Sequence, residues 1–156
     1  MQAQIQTGYG TVIGEDCSIG DGTHIWHFCN LYGCRIGRNC KIGSFTEIGK
    51  DVSVGDNCKI EAHVFIPQGV TIGNDVFIGP HTCFTNDKFP RAQQQDWQIV
   101  QTHICDGASI GANSTILSGV TVGEKAMVGA GSIVTKNVEA GTIVYGDGAK
   151  KRGTIH

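Results

Sequence analysis

The stretch "IGRNCKIGSFTEIGKDVSVGDNCK", residues 36–59, decides how this chain folds. Every sixth residue is aliphatic (Ile36, Ile42, Ile48, Val54), and a glycine follows each one. The fifth residue of each unit is small or β-branched: Cys40, Thr46, Val52 and Cys58. A six-residue period fits neither an amphipathic helix nor a hairpin meander. It fits a solenoid of short strands and turns in which positions one and five face inward.

The beat runs outward in both directions. It begins at Ile13, drops one residue in the unit Leu31–Arg35, breaks after Cys83, resumes at Ile104 and ends at Glu139, giving eighteen units. The expected organisation is one domain over 1–156. Hexads occupy 13–83 and 104–139, an inserted loop occupies 84–103, and a C-terminal tail occupies 140–156. The second-position glycines are expected to supply positive φ at turns. Cys17, Cys29, Cys40 and Cys58 hold fifth positions, Cys34 the matching place in the short unit, and all are expected to be buried small hydrophobes. Seven cysteines with no Cys-x-x-Cys pair argue against a disulfide framework or a metal site.

Composition bounds the function classes. A net charge of −2 gives no general attraction to nucleic acid or to anionic membranes. The start "MQAQIQTGYG" lacks the basic opening and apolar run of a signal peptide, and no stretch of about 18 apolar residues exists to span a bilayer. A cytoplasmic protein is the expectation.

The pattern Ile-Gly-x-x-(Cys/Thr/Val)-x, from about residue 10 to 138, resembles the hexapeptide-repeat acyltransferases. The resemblance implies an all-β fold, a left-handed parallel β-helix whose hand departs from the usual crossover rule. It implies triangular coils of three hexads, and therefore six coils on the order of 30 Å tall at roughly 4.8 Å each. It further implies a homotrimer with acetyl-CoA bound between subunits.

With 18 residues per coil, Phe45, His63 and His81 fall on one vertical line, with Phe28 above them once the short unit is allowed for. Trp26, Gly43, Glu61 and Gly79 form the neighbouring line, and His27 lies in the same segment, "HIWHF". Later coils stack Ala112 over Ala130 and Gly111 over Gly129, a column of small residues that lets a pantetheine chain approach the backbone. The C-terminal "GDGAKKRG" resembles the family's Gly-x-Pro-Ala ending without its proline. Lys136, Lys150, Lys151 and Arg152 are the cations expected at the phosphates of coenzyme A.

The break itself reads "FTNDKFPRAQQQDW" over 84–97. Long loops in compact folds are usually functional, and this one is expected to stand beside the histidine edge. Many hexapeptide enzymes that acetylate hydroxyls carry a catalytic histidine just before a loop proline, where this chain has Phe89 ahead of Pro90. A hydroxyl needs a base in the transition state; a neutral amine does not. Together "GTHIWHF" and "FTNDKFPRA" resemble the N-acetyltransferases of nucleotide-linked 3-amino sugars. That resemblance implies Asn86 near the amine and thioester, and Glu61, Asp87 and Arg91 as contacts to a UDP- or dTDP-linked sugar. His81, His63 or the leaving thiolate takes the proton, and Phe89 or Trp97 stacks on the base. Three alternatives stay open: another small acceptor, a zinc carbonic anhydrase, for which the chain lacks a His-x4-His pair, and a non-catalytic β-helix.

Overall fold

The computed structural model describes residues 4–148 and 150–154. Its 22 strands, two to five residues long, assemble into three sheets whose strands pair in parallel except for the last pair. The first sheet takes Gln6–Thr7, His24–Ile25, Lys41–Ile42, Lys59–Ile60, Phe77–Ile78, Ser109–Ile110, Met127–Val128 and Thr142–Tyr145, and closes on the antiparallel strand Lys150–Thr154. The second sheet includes Phe65–Ile66, Cys83–Phe84 and Thr115–Ile116, and the third includes Val70–Ile72 and Thr102–Ile104. Each strand bonds to the strand of the same sheet one coil away, so Lys41, Lys59, Phe77 and Ser109 stand in register. This is the all-β left-handed parallel β-helix that the hexads imply.

The edges of the pattern differ from the expectation. The first sheet has nine strands, because Gln6–Thr7 precedes the hexads and Thr142–Tyr145 follows them, so the prism exceeds six coils. The segment expected as a tail from 140 therefore carries a coil strand and a capping hairpin strand. The break in the coils runs from 85 to 101, between strands Cys83–Phe84 and Thr102–Ile104.

The core is a set of vertical columns. First-position isoleucines such as Ile42, Ile60, Ile78 and Ile110 are fully buried one above another. Fifth-position residues do more than fill space. The thiols of Cys29, Cys40 and Cys58 donate to the carbonyls of Gly43, Gly55 and Gly73 at 3.2, 3.1 and 3.0 Å. The hydroxyls of Thr23 and Thr46 donate in the same way to Gly37 and Glu61, at 2.8 and 3.0 Å. Small side chains with a weak donor satisfy a carbonyl that the triangular coil leaves pointing inward. Cys17 is only half-buried, because it sits near the open N-terminal end.

The second-position glycines act by size and not by conformation. Positive φ falls on fourth positions, including Phe28 (56°), Asn39 (55°), Phe45 (61°), Asn57 (59°), His63 (59°), His81 (60°) and Asn113 (57°). The second-position glycines are absent from that set and lie where coils touch. A Cβ at Gly20, Gly37 or Gly55 would stand 2.6 Å from the carbonyl carbon of Gly37, Gly55 or Gly73 in the next coil.

Candidate active site

Two corners of the prism hold the candidate residues. At the corner between the first and second sheets, the left-handed backbone throws fourth-position side chains outward. Phe28, Phe45, His63 and His81 form one ladder of parallel rings with centroid spacings of 5.3, 4.8 and 4.7 Å. The coil offset changes across the loop, and Asn113 continues the line below His81: its N–H donates to Pro80, as that of His81 does to Ala62. Phe28 and Phe45 are bulky for a left-handed conformation that asparagine and glycine occupy more easily.

Beside the ladder run Trp26, Gly43, Glu61, Gly79, Gly111 and Gly129, linked coil to coil by backbone N–H donors to the residue before the next member. Glu61 is half-buried and paired with Lys59 at 2.7 Å. Below it three glycines leave a smooth furrow with Ala112 and Ala130 alongside, ended by Tyr145. The Gly111/Gly129 and Ala112/Ala130 stacking expected from the sequence is thus present, and Ala130 is exposed. His27 Nδ1 accepts the Tyr9 N–H at 2.8 Å and so ties down the first coil.

The loop stands at a different corner, between the second and third sheets. Asn86 Nδ2 donates to the Gln68 carbonyl at 3.2 Å, and Thr85 Oγ1 accepts the Ser118 N–H at 3.0 Å. Where the chain returns, Ile99 packs on Gly69 and Val100 on Gly119. Asp87 Oδ1 accepts the Phe89 N–H at 2.9 Å, which turns the loop back on itself. Phe89 is 73% exposed, and Arg91 is exposed with its guanidinium donating to the Pro90 carbonyl at 2.9 Å. Lys136, expected at the phosphates of coenzyme A, lines a 450 Å³ cleft with Asp87, Lys88 and Thr135 under this loop.

The expectation of one shared edge therefore fails within a single chain. Strand Cys83–Phe84 of the second sheet separates His81 from Asn86, and five residues of extended chain reach about 17 Å. The sequence showed that the loop leaves after the histidine line but not that a further strand intervenes.

The basic C-terminus is ordered into the hairpin strand Lys150–Thr154. Lys151 Nζ lies 2.9 Å from Glu139 Oε2, and the Arg152 guanidinium lies 5.0 Å from the Tyr145 ring centre. The Lys151 ammonium holds the exposed Glu139 carboxyl below its ordinary range. Among the described residues, no group of three or more His, Cys, Asp or Glu side chains is placed to hold a metal ion.

The arrangement has relatives. A dTDP-3-amino-3,6-dideoxy-alpha-D-galactopyranose 3-N-acetyltransferase of Aneurinibacillus thermoaerophilus is 47% identical over 55 residues, 35% of this chain and 29% of that protein. The chain spans a third or less of the length of the curated relatives it matches. Among solved structures, PerB of Caulobacter crescentus, in complex with CoA and GDP-perosamine, superposes with a TM-score of 0.71 at 16% identity. The match covers 98% of this chain and 59% of that one, a likeness of fold alone. A hexapeptide-repeat acetyltransferase of Vibrio cholerae complexed with acetyl coenzyme A matches at 25% identity and a TM-score of 0.52, over 95% of this chain and 72% of that one. A family model described as "Bacterial transferase hexapeptide (six repeats)" matches residues 33–68, 51–86 and 101–136. Those segments take in both repeat blocks and the gap between them falls on the loop, so the chain belongs to the bacterial transferase hexapeptide family.

Proposed function

We propose that this protein is an acetyl-CoA-dependent N-acetyltransferase acting on the 3-amino group of a UDP- or dTDP-linked sugar. The product would serve bacterial surface glycans such as O-antigen, made in the cytoplasm where both substrates arise. The reading rests on the loop "NDKFP": by its resemblance to the family, Phe89 would stand where a hydroxyl-acetylating enzyme carries its base, and Asn86 would face an acceptor that needs none. The Aneurinibacillus relative, itself named for a dTDP-3-amino sugar, supports the choice of acceptor. The Vibrio relative, complexed with acetyl coenzyme A, supports the donor.

The working unit is a homotrimer, in which the loop of one chain reaches the histidine edge of the next. Support comes from the separation of the two corners, since one chain alone cannot bring Asn86 to His81. Acetyl-CoA lies along the furrow of Gly111, Gly129, Ala112 and Ala130, with Lys150 near its phosphates.

In the reaction the sugar amine attacks the thioester carbonyl, forming the N–C bond. The tetrahedral intermediate then expels the coenzyme A thiolate as the C–S bond breaks, and the ammonium proton ends on that sulfur or first on His81 or His63. Asn86 spends its amide N–H on the Gln68 carbonyl, which leaves Oδ1 as an acceptor for the amine. Glu61 and Asp87 offer carboxylates to sugar hydroxyls or to the ammonium form.

Acetyl-CoA turnover against a panel of UDP- and dTDP-linked 3-amino and 3-hydroxy sugars, followed by thiol release, tests the reading. Turnover confined to the amino sugars is expected. Equal or faster acetylation of a hydroxyl acceptor overturns it.

A further inference from the structure

A cleft of 420 Å³ opens on the first sheet around Gly43, and neither the hexad pattern nor the loop accounts for it. Gly43 is glycine for packing reasons, since a Cβ there would lie 2.5 Å from the Glu61 carbonyl carbon. The consequence is a notch between Trp26, one coil before, and Glu61, one coil after. Two coil rises place those backbones about 9.6 Å apart.

The walls make the notch chemically specific. The Trp26 indole is 36% exposed and is backed by the His24 imidazole, stacked at 3.8 Å and 15°. An aromatic plane held in this way is ready to receive a second ring. Lys41, on the same outward face, is exposed and makes no ion pair among the described residues. One coil rise and two strand residues put it about 8 Å diagonally from Trp26. At the far wall Lys59 is already committed to Glu61. The cleft thus offers a flat ring and a carboxylate on the line beside the histidine ladder, two coils apart, with a cation set two residues back from that line. Its volume lies in the range of small-molecule sites, roughly 300–1,000 Å³.

We propose that this cleft binds the nucleoside diphosphate of the acceptor, with the base stacked on Trp26 and the diphosphate on Lys41. The sugar then extends past Gly43 toward Glu61, with its amine on the His63 and His81 side. The proposal rests on the acceptor's being a nucleotide-linked sugar and adds where and by what chemistry the nucleotide is held. It moves the base from Phe89 or Trp97, which belong to the loop, to the first sheet. Stacking on a single indole discriminates little among bases, so uracil, thymine and guanine all fit this chemistry.

Calorimetric titration of the full chain with free UDP, dTDP and GDP tests the proposal. Trp26→Ala and Lys41→Glu should each raise the Kd of the nucleoside diphosphates tenfold or more, with coenzyme A binding kept within twofold as the control for folding. Wild-type affinity in both variants overturns the proposal. So does a loss that appears with Trp97→Ala instead, or a wild-type chain that binds none of the three at millimolar concentration. The outcome is separable from the assigned reaction. Turnover of a 3-amino sugar nucleotide with an unchanged KM in both variants removes the subsite and leaves the reaction. Nucleotide binding that depends on Trp26, without acetylation of any sugar amine, does the reverse.

Discussion

His63 and His81 lie with ring centres 4.7 Å apart and planes within 4° of parallel, each at the top of a left-handed turn. They occupy one geometric position in successive coils, so whatever one can reach the other reaches a coil rise later. Their backbone strain separates two kinds of substitution. Alanine at position 81 removes the imidazole but also sits poorly at φ 60°, whereas asparagine tolerates that conformation. If the leaving thiolate takes the proton, His81→Asn should lower kcat/KM less than tenfold with an unchanged pH profile. A loss of about 100-fold or more with an altered profile would instead make a histidine the general base. Steady-state kinetics across pH on a verified 3-amino sugar nucleotide decides between them.

The packing role of the glycines has an equally direct consequence. Gly55→Ala drives a methyl group toward the Gly73 carbonyl carbon, 2.6 Å from the ideal Cβ position. The neighbouring coils cannot separate without breaking their ladder, so the expected cost is about 1–3 kcal/mol. Asn57→Gly, two residues on, removes a left-handed non-glycine residue (φ 59°) and should be near neutral. Denaturant unfolding of both variants checks the pair. No loss at Gly55 would remove the packing role assigned to the second-position glycines.

Cysteine behaviour follows from the columns. Cys29, Cys40 and Cys58 are 0–1% exposed and donate to glycine carbonyls, so they should resist thiol labelling in the native state, while exposed Cys83 reacts first. Each Cys→Ala change at the buried three should cost about 1 kcal/mol. Burial, then the charge of Cys17, pushes the Cys34 thiol up from its ordinary 9.0 to about 12. A raised folded value means that its contribution to stability is whole below pH 9 and is lost as pH rises toward 12. Chemical denaturation between those limits should show a falling midpoint that Cys34→Val flattens.

How much of this was legible in the sequence depends on the period. Columns that repeat every coil, such as Phe28–Phe45–His63–His81, could be drawn from residue numbers, because a regular solenoid converts spacing directly into position. The same arithmetic places Lys41 beside His24 and diagonal to Trp26, yet a lysine on a strand face carries no sequence signal until the glycine notch next to it is seen. Asn113 was hidden because the offset changes from 18 to 32 residues across the loop. Asn86 was misplaced for a related reason. Leaving "after the histidines" in sequence meant crossing a whole face in space, and only the pairing of Cys83–Phe84 with Thr115–Ile116 shows it.

Asn86 should nevertheless matter for turnover. If it positions the amine or thioester, Asn86→Ala should lower kcat/KM 10- to 1,000-fold, about 1.4–4 kcal/mol of transition-state stabilisation. Near-normal turnover on a verified 3-amino sugar nucleotide would remove it from the site.

The two-corner arrangement makes its own prediction, on subunit mixing. Ala130 is exposed in the small-residue furrow, so Ala130→Trp should fill the path of coenzyme A without disturbing the core. Asn86→Ala should damage the loop side only. In a homotrimer whose sites join the furrow of one chain to the loop of its neighbour, co-expressing the two inactive variants regenerates intact sites. Random assortment at equal amounts gives both functional halves at about one quarter of the sites. Each variant alone should stay near background, and mixed trimers purified through two different tags should recover a substantial part of wild-type turnover. A site built within one chain gives no such recovery, since every subunit then carries one lesion. Mixed trimers that form and remain inactive would place the loop's target on its own chain, and the second sheet would have to be crossed by the loop itself.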